Sequence, residues 1–150
     1  MRGVLLLLAA VVSVTNARAA DAPAPEAVLR AYLAAVKEQR FADAYQHVSE
    51  AMRQGKDKDA WVKEQESLMA FADVKIFSFT VYPATIEGDT ARVPNVLESQ
   101  DKFVNTLGLT EHEVYTLVRE DGRWKVDRQI LVEPPDVPKW FPKDAKPAAG

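Results

Sequence analysis

The segment Leu117-Val118-Arg119-Glu120-Asp121-Gly122-Arg123-Trp124-Lys125-Val126 decides the fold class, because it encodes a tight reversal between two β-strands. Asp-Gly is a strong signal for a short hairpin turn, and apolar residues alternate with polar ones on both sides of it. A two-residue loop would pair Leu117 with Val126, whereas a three-residue loop would pair Val118 with Trp124. We expect the three-residue loop, because it collects a coherent inward face. That face comprises Val114, Thr116, Val118, Trp124, Val126 and Ile130.

Upstream of this hairpin, apolar residues alternate with a period of two, which is typical of strands. Glu87-Gly88-Asp89 is a turn signal between two such runs. The inward sides of these runs are predicted to carry Phe77, Phe79, Val81, Ala91, Val93, Asn95 and Leu97. Together with strands near Glu113–Arg119 and Arg123–Val132, they predict an antiparallel sheet of about four strands.

The first half of the chain shows helical spacing instead. A first amphipathic helix is expected to begin at Pro25, because proline is tolerated in the first turn. A second is expected over residues 41–52, and a third is expected after a cap at Asp57 or Asp59. The fold class predicted is therefore α+β, with three N-terminal helices packed on the sheet.

The N-terminus has the pattern of a secretory signal peptide. Arg2 precedes the apolar run Val4–Val14, and Ala17-Arg18-Ala19 offers small residues for cleavage after Ala19. The apolar run is too short for a membrane-spanning helix, which needs about 20 residues. We therefore expect a signal peptide over residues 1–19, a linker over 20–24, and export to the periplasm or the medium.

Composition excludes several other classes of site and partner. The chain has no cysteine, so it can form no disulfide, thiol-based metal site or lipid-modified cysteine anchor. Its formal net charge is −3, and its basic residues are scattered rather than gathered on one stretch. Nucleic acid is therefore not an expected partner, since phosphate binding requires a continuous positive surface.

The last segment, residues 133–150, is rich in proline and is predicted to be extended or disordered. Trp140 and Phe141 stand out there, because two adjacent aromatic residues are unusual in a solvated tail. They either fold back onto the domain or serve as a docking motif for another protein.

The hairpin Leu117–Val126, together with the opening helix pair over Val28–Met52, resembles the nuclear transport factor 2-like superfamily. The resemblance covers about residues 25–132. It implies that the helices close one end of a curved sheet, so that the domain is a cone with an internal pocket. Members of this superfamily include ketosteroid isomerase, scytalone dehydratase, limonene epoxide hydrolase and SnoaL-like polyketide cyclases, and others only bind or dimerise. The resemblance implies a fold and leaves the chemistry open.

Five polar side chains are candidates for contact with a ligand in such a pocket. They are Tyr32, Tyr45, Asn95, Thr116 and Arg128. Arg128 is expected to be a lone cation in an inward row, where a guanidinium must meet an acid, a ligand anion or water. The expected ligand is a small anionic or carbonyl-bearing amphiphile that contacts Arg128 and Asn95.

No catalytic residue is predicted, because the rows expected to face inward contain no carboxylate. Glu98, Glu113 and Asp127 have the opposite parity and are expected to face solvent. His47 and His112 lie far apart in sequence, so no metal site is expected, and neither is a cofactor.

These observations favour an exported, non-catalytic module that binds a small molecule or a partner protein. One alternative is an acid–base enzyme, an isomerase, dehydratase or hydrolase, that acts on a small hydrophobic substrate in the cone. A second alternative is a structural or dimerisation domain. For a homodimer, the outer sheet face is expected to offer Tyr115, Leu117 and Leu131 among charged residues.

Overall fold

The structure, a computed structural model, describes residues 22–150 of the chain. The predicted signal peptide and the first two residues of the predicted linker lie outside the described residues. Within residues 22–150, no helix combines the length and the apolar character required to cross a membrane.

Five antiparallel strands form one curved sheet that does not close into a barrel. They are β1 (Lys75–Val81), β2 (Thr85–Glu87), β3 (Thr90–Gln100), β4 (Leu109–Glu120) and β5 (Arg123–Leu131). The strand order is β1-β3-β4-β5, and the short β2 also pairs with β3. The predicted α+β class with a curved antiparallel sheet is confirmed.

Five α-helices accompany the sheet in the described part of the chain. They are α1 (Pro25–Lys37), α2 (Phe41–Ala44), α3 (Glu50–Arg53), α4 (Lys58–Ala72) and α5 (Val137–Trp140). Single 3₁₀ turns span Tyr45–His47 and Pro134–Asp136.

The second helix is not continuous, contrary to the prediction for residues 41–52. The chain becomes extended at Val48, which forms an isolated parallel bridge with Val126. The Ser49 N–H donates to the Val126 carbonyl (2.8 Å), and the Ser49 side chain accepts from the Met52 N–H and so caps α3. The break occurs because tertiary hydrogen bonds to β5 replace those of a helix.

The hairpin has a two-residue loop, so the predicted three-residue loop is wrong. Asp121 and Gly122 both have positive φ, 50° and 76°, as in a type I′ turn, whose twist matches that of the flanking strands. Arg119 therefore pairs with Trp124. A bulge then leaves Asp127 as an extra residue in β5.

The two-residue loop reverses the predicted inward and outward faces of β4. In β5, the bulge changes which residues face inward in the half of the strand that follows Asp127. Trp124 and Val126 still face inward, as predicted. On β4, however, the inward row is Glu113, Tyr115 and Leu117, all of which are buried. Tyr115 and Leu117 therefore do not belong to the outer face on which a homodimer was predicted.

The hydrophobic core lies between α1 and the concave face of the sheet. Leu29 and Leu33 of α1 are buried there with Val93, Leu117 and Val126. At the opposite end of the concave face, large apolar side chains are exposed, with 51% exposure at Phe77 and 60% at Leu131. The concave face is therefore covered at the hairpin end and open at the other.

The C-terminal segment is more structured than the prediction for residues 133–150. Residues 134–140 form a 3₁₀ turn and α5, because prolines at the first positions of helical turns remove no required hydrogen bond. Phe141 then packs against Tyr82 and His112, with ring centroids 5.2 and 4.8 Å away. Near the end, the Ala148 N–H donates to the Val81 carbonyl (2.9 Å).

Candidate functional site

A buried carboxyl group lies on the concave face, where none was predicted. Glu113 of β4 pairs with Asn95 of β3 on one side and with Leu131 of β5 on the other. Its exposure is 0%, although the sequence pattern indicated a solvated position. The error follows directly from the hairpin loop, because a change of one residue in register turns every side chain of β4 over.

Two side-chain amides hold the Glu113 carboxyl group. Asn95 Nδ2 donates to Oε2 (2.9 Å), and Gln129 Nε2 donates to Oε1. Asn95 is fully buried, whereas Gln129 is exposed and lies on the solvent side. None of the ion pairs found within residues 22–150 involves Glu113. The group is therefore oriented by neutral donors rather than neutralised by a cation.

Burial raises the pKa of the Glu113 carboxyl above its ordinary value, and the nearby Glu111 raises it further. Hydrogen bonds from Asn95, Gln129 and Tyr115 act in the opposite direction, because they favour the ionised form. The net effect is a raised pKa, so Glu113 holds its proton to a higher pH than an exposed glutamate.

Two buried phenols lie beside this carboxyl group. Tyr32 of α1 meets Tyr115 edge to face, with ring centroids 6.4 Å apart. Burial and the charge of Glu113 raise the pKa of Tyr32 to about 12 and place that of Tyr115 well above its ordinary value. Both phenols are therefore neutral hydrogen-bonding groups at physiological pH.

The site also contains an unused acceptor. Asn95 Oδ1 is buried and has no hydrogen-bond partner among the described residues. An unsatisfied buried carbonyl oxygen costs about 1–3 kcal/mol, so such atoms are uncommon in native structures. Its position beside Glu113 gives the site one acceptor that no described residue uses.

The open end of the concave face has an apolar rim. Phe71 of α4 stacks with Phe103 (5.3 Å between ring centroids), and the Lys102 N–H donates to the Ala72 carbonyl (2.9 Å). The exposed apolar side chains at this end include Leu68, Phe71, Phe77, Phe103 and Leu131. An exposed apolar set of this extent on a monomer is typical of a ligand or partner contact.

The five predicted ligand-binding residues do not lie together. Asn95 is part of the site, and Tyr32 lies beside it through Tyr115. Tyr45 is at the other end of the molecule, where its hydroxyl donates to the Lys56 carbonyl (3.3 Å). Thr116 and Arg128 are cross-strand neighbours on the outer face.

The exposed guanidinium of Arg128 is thus not the inward cation that the sequence pattern predicted. Because it lies on the opposite face of the sheet, it contributes nothing to the concave site. Trp140 and Phe141 are half-buried near the outer face, and their docking role for a partner protein stays a prediction.

The sequence pattern missed Glu113, Gln129 and Tyr115. The signal that finds them is the type I′ preference of Asp121-Gly122, which fixes the register of β4. With that register, Glu113 falls opposite Asn95, which the alternation of β3 already placed inward.

Within residues 22–150, no three His, Cys, Asp or Glu side chains are grouped as a metal site requires.

Solved structures with similar folds exist, whereas no family model and no curated protein matches the chain. A SEC-C motif containing protein from Rhodopseudomonas palustris has a TM-score of 0.55 at 17% identity, covering 73% of this chain and 79% of that one. A candidate ketosteroid isomerase from Shewanella frigidimarina has a TM-score of 0.53 at 20% identity, covering 73% and 95%.

A third similar structure is the Bdellovibrio bacteriovorus protein Bd1075, with a TM-score of 0.50 at 10% identity. The match covers 69% of this chain and 38% of that protein, so this chain spans well under half of its length. At these identities the likeness concerns the fold alone. The chain has the nuclear transport factor 2-like fold.

Proposed function

We propose that this chain is an exported small-molecule-binding protein whose concave interior holds the polar end of a largely apolar ligand. The observation that carries the proposal is the buried Glu113, which has two amide donors and no cation partner in the described chain. Burying a carboxyl group without a cation is unfavourable for folding. Groups with such perturbed pKa values are concentrated at functional sites.

The chemistry of the site favours a ligand that donates hydrogen bonds. Glu113 offers carboxyl oxygens, and Asn95 Oδ1 is an acceptor that has no partner in the part of the chain that the structure describes. A hydroxyl or amine of the ligand would satisfy both groups once it replaces the exposed amide of Gln129. The apolar rim suits the remainder of such a ligand. This head group replaces the anionic one expected when Arg128 was placed inward.

Native mass spectrometry of the protein purified from its own host tests this proposal. We expect a bound small molecule on the wild type and at least a tenfold lower occupancy on Glu113→Leu, which removes both acceptor oxygens. Glu98→Leu is the matched control, because Glu98 is an exposed glutamate of β3. Wild-type protein without any bound molecule, or equal occupancy of the two variants, would contradict the proposal.

The export half of the proposal rests on the N-terminal pattern and has its own test. The mass of the protein recovered from the host envelope or medium should correspond to a chain that begins at Ala20. Recovery of the chain with residues 1–19 intact would contradict export by this signal peptide.

Acid–base catalysis is a second candidate function, and the raised pKa of Glu113 favours it. A carboxyl whose pKa lies nearer neutrality is a better proton carrier than an exposed one, and the Tyr115 phenol is a neutral donor beside it. The fold likeness to a candidate ketosteroid isomerase makes the double-bond shift of a β,γ-unsaturated ketosteroid the first reaction to assay. An enzyme of this kind should lose about 10²–10⁴-fold in kcat in Glu113→Gln. Equal rates for wild type and variant exclude Glu113 as the proton carrier.

A further inference from the structure

We propose a second binding site, for a small organic anion with a flat apolar body, in the pocket between α1 and the β4–β5 hairpin. This pocket has a volume of about 410 Å³ and lies beside Trp124. Trp124 is seven residues from Leu131 along β5, or roughly 23 Å at the rise of a strand. The pocket is therefore separate from the Glu113 site at the open end of the sheet.

The floor of the pocket is apolar. It is formed by Val28 and Ala31 of α1 and by the indole of Trp124. Val28 and Trp124 are buried, with 7% and 4% exposure. The Arg119 guanidinium covers part of the indole from another side, 4.3 Å from its ring centroid. Because Val28 and Trp124 are almost fully buried, the apolar surface that a flat ligand can remove from water here belongs mainly to the exposed Ala27 and Ala31.

The rim of the pocket is basic. His47, Arg123 and Lys125 line it, and no acidic residue of the described range 22–150 does so. Neither Arg123 nor Lys125 takes part in any ion pair found within residues 22–150. Lys125 Nζ instead donates to the Gln46 carbonyl. An anion bound here would therefore meet two cations that no carboxylate already occupies.

Two acids that act on Lys125 of this rim line an adjoining cleft. Glu120 and Asp121 line that cleft with Arg53, Arg123 and Lys125. Glu120 accepts the Glu50 N–H there. Glu120 is the direct cross-strand partner of Arg123, but no ion pair joins their side chains, and neither Glu120 nor Asp121 lines the pocket.

The titration behaviour of the rim agrees with an excess of positive charge. Burial lowers the pKa of Lys125, and the charges of Arg53 and Arg123 lower it further, against the opposing effect of Glu120 and Asp121. Burial and Lys125 likewise lower the pKa of His47, while Asp43 opposes them. A bound carboxylate would relieve this repulsion between like charges.

The volume and the lining together define the class of ligand. A pocket of this size accommodates a molecule of one or two rings. The carboxylate or sulfonate of such a molecule would pair with Arg123 and Lys125, while its rings lie against the apolar floor. Inorganic phosphate alone would leave the apolar floor unused, so it should bind more weakly than an aromatic carboxylate.

A nitrogen-15 NMR titration of the protein expressed from residues 1–150 tests this site. The probe is 2-naphthoate, and 2-naphthalenemethanol is its uncharged analogue. We expect 2-naphthoate to shift the backbone amide signals of Ala31 and His47 and the indole N–H signal of Trp124. Its affinity should be about tenfold or more above that of the alcohol. Equal affinities, shifts confined to the Glu113 region, or no binding at millimolar concentration would overturn the proposal.

Three variants separate the parts of the site. Arg123→Gln should weaken 2-naphthoate binding by about tenfold, because it removes one rim charge from an exposed position. Ala31→Leu should weaken both probes, because it fills the cavity and leaves the charges in place. Arg92→Gln, a loss of charge on β3, should leave binding unchanged. If Arg92→Gln and Arg123→Gln weaken binding equally, the effect is general electrostatics and the site is not where we place it.

Discussion

Glu113 shows how one residue sets the character of a site. Its burial opposes folding, yet Asn95 and Gln129 orient it toward the concave interior. Desolvation raises the pKa of this carboxyl, so at mildly acidic pH the folded protein holds a proton that the unfolded chain has released. Ionisation of Glu113 therefore weakens the folded state.

Replacing Glu113 should change how stability depends on pH. Folding raises the pKa of Glu113. The stability that its protonated form contributes is therefore fully present below the pKa of the unfolded chain, about 4.3, and is lost as pH rises through the pKa of the folded protein. Relative to wild type, Glu113→Gln should thus become more stable as pH rises from 4 to 8. Thermal unfolding at several pH values measures this difference. A difference that is constant with pH, or that shrinks as pH rises, would contradict it.

Ser49 is the residue on which the break in the second helix depends. It is fully buried, its hydroxyl donates to Asp127 Oδ1 (2.6 Å), and the same oxygen accepts the Met52 N–H (3.1 Å). Ser49→Ala should lower the free energy of unfolding by about 1–3 kcal/mol, since it leaves both the Met52 N–H and the half-buried Asp127 carboxylate without their partner.

Urea denaturation measures the effect, and Ser67→Ala is the matched control. Ser67 is an exposed serine of α4 whose hydroxyl donates to the Lys63 carbonyl (2.7 Å). A loss at Ser49 no larger than that at Ser67 would show that the cap contributes little.

At the scale of elements, the hairpin explains both the success and the failure of sequence-based prediction. The positions of β1, β3, β4 and β5 follow from alternation, and α1 and α4 follow from helical spacing. The inward row of β3 was predictable because Ala91, Val93, Asn95 and Leu97 leave one choice of apolar face. On β4 both parities carry apolar residues, so the pattern alone could not decide between them. The break at Val48 depends on a bridge to Val126, a contact that local spacing does not encode.

The turn geometry gives a direct test of the register. Gly122 has a φ of 76°, and a Cβ there would meet no atom within 4 Å, so only backbone strain opposes a side chain. Gly122→Ala should therefore destabilise the fold by about 1 kcal/mol in a urea titration. Asp121→Asn, which keeps a residue that tolerates positive φ, should leave stability within roughly 0.5 kcal/mol. Equal effects of the two substitutions would argue against a type I′ turn.

At the scale of the whole molecule, the two ends of the sheet have different surroundings. The C-terminal segment covers part of the outer face of the sheet. The hairpin end of the concave face is sealed by α1, and the other end is open with an apolar rim. The predicted cone is consistent with this arrangement. The helical part of residues 133–150 differs from the prediction because its prolines stand at the first positions of helical turns, where they are tolerated.

The contact of Phe141 with the outer face should contribute to stability. Its ring packs on Tyr82 and His112, so Phe141→Ala should lower the unfolding free energy by roughly 1–3 kcal/mol, less than for a fully buried phenylalanine. Phe103→Ala, at a ring that is 56% exposed, should have a smaller effect. If thermal unfolding is unchanged by Phe141→Ala, the aromatic pair is free to serve a partner protein.

The claim on which the proposed function depends is that Glu113 lies desolvated on the concave face. A carbon-13 NMR titration of the glutamate side-chain carboxyls, with the Glu113 signal assigned by comparison with Glu113→Gln, measures this directly. The structure predicts a Glu113 titration midpoint above the ordinary glutamate value of about 4.3, because burial outweighs the two amide hydrogen bonds. A midpoint at or below that value would place the carboxyl in water and contradict the account.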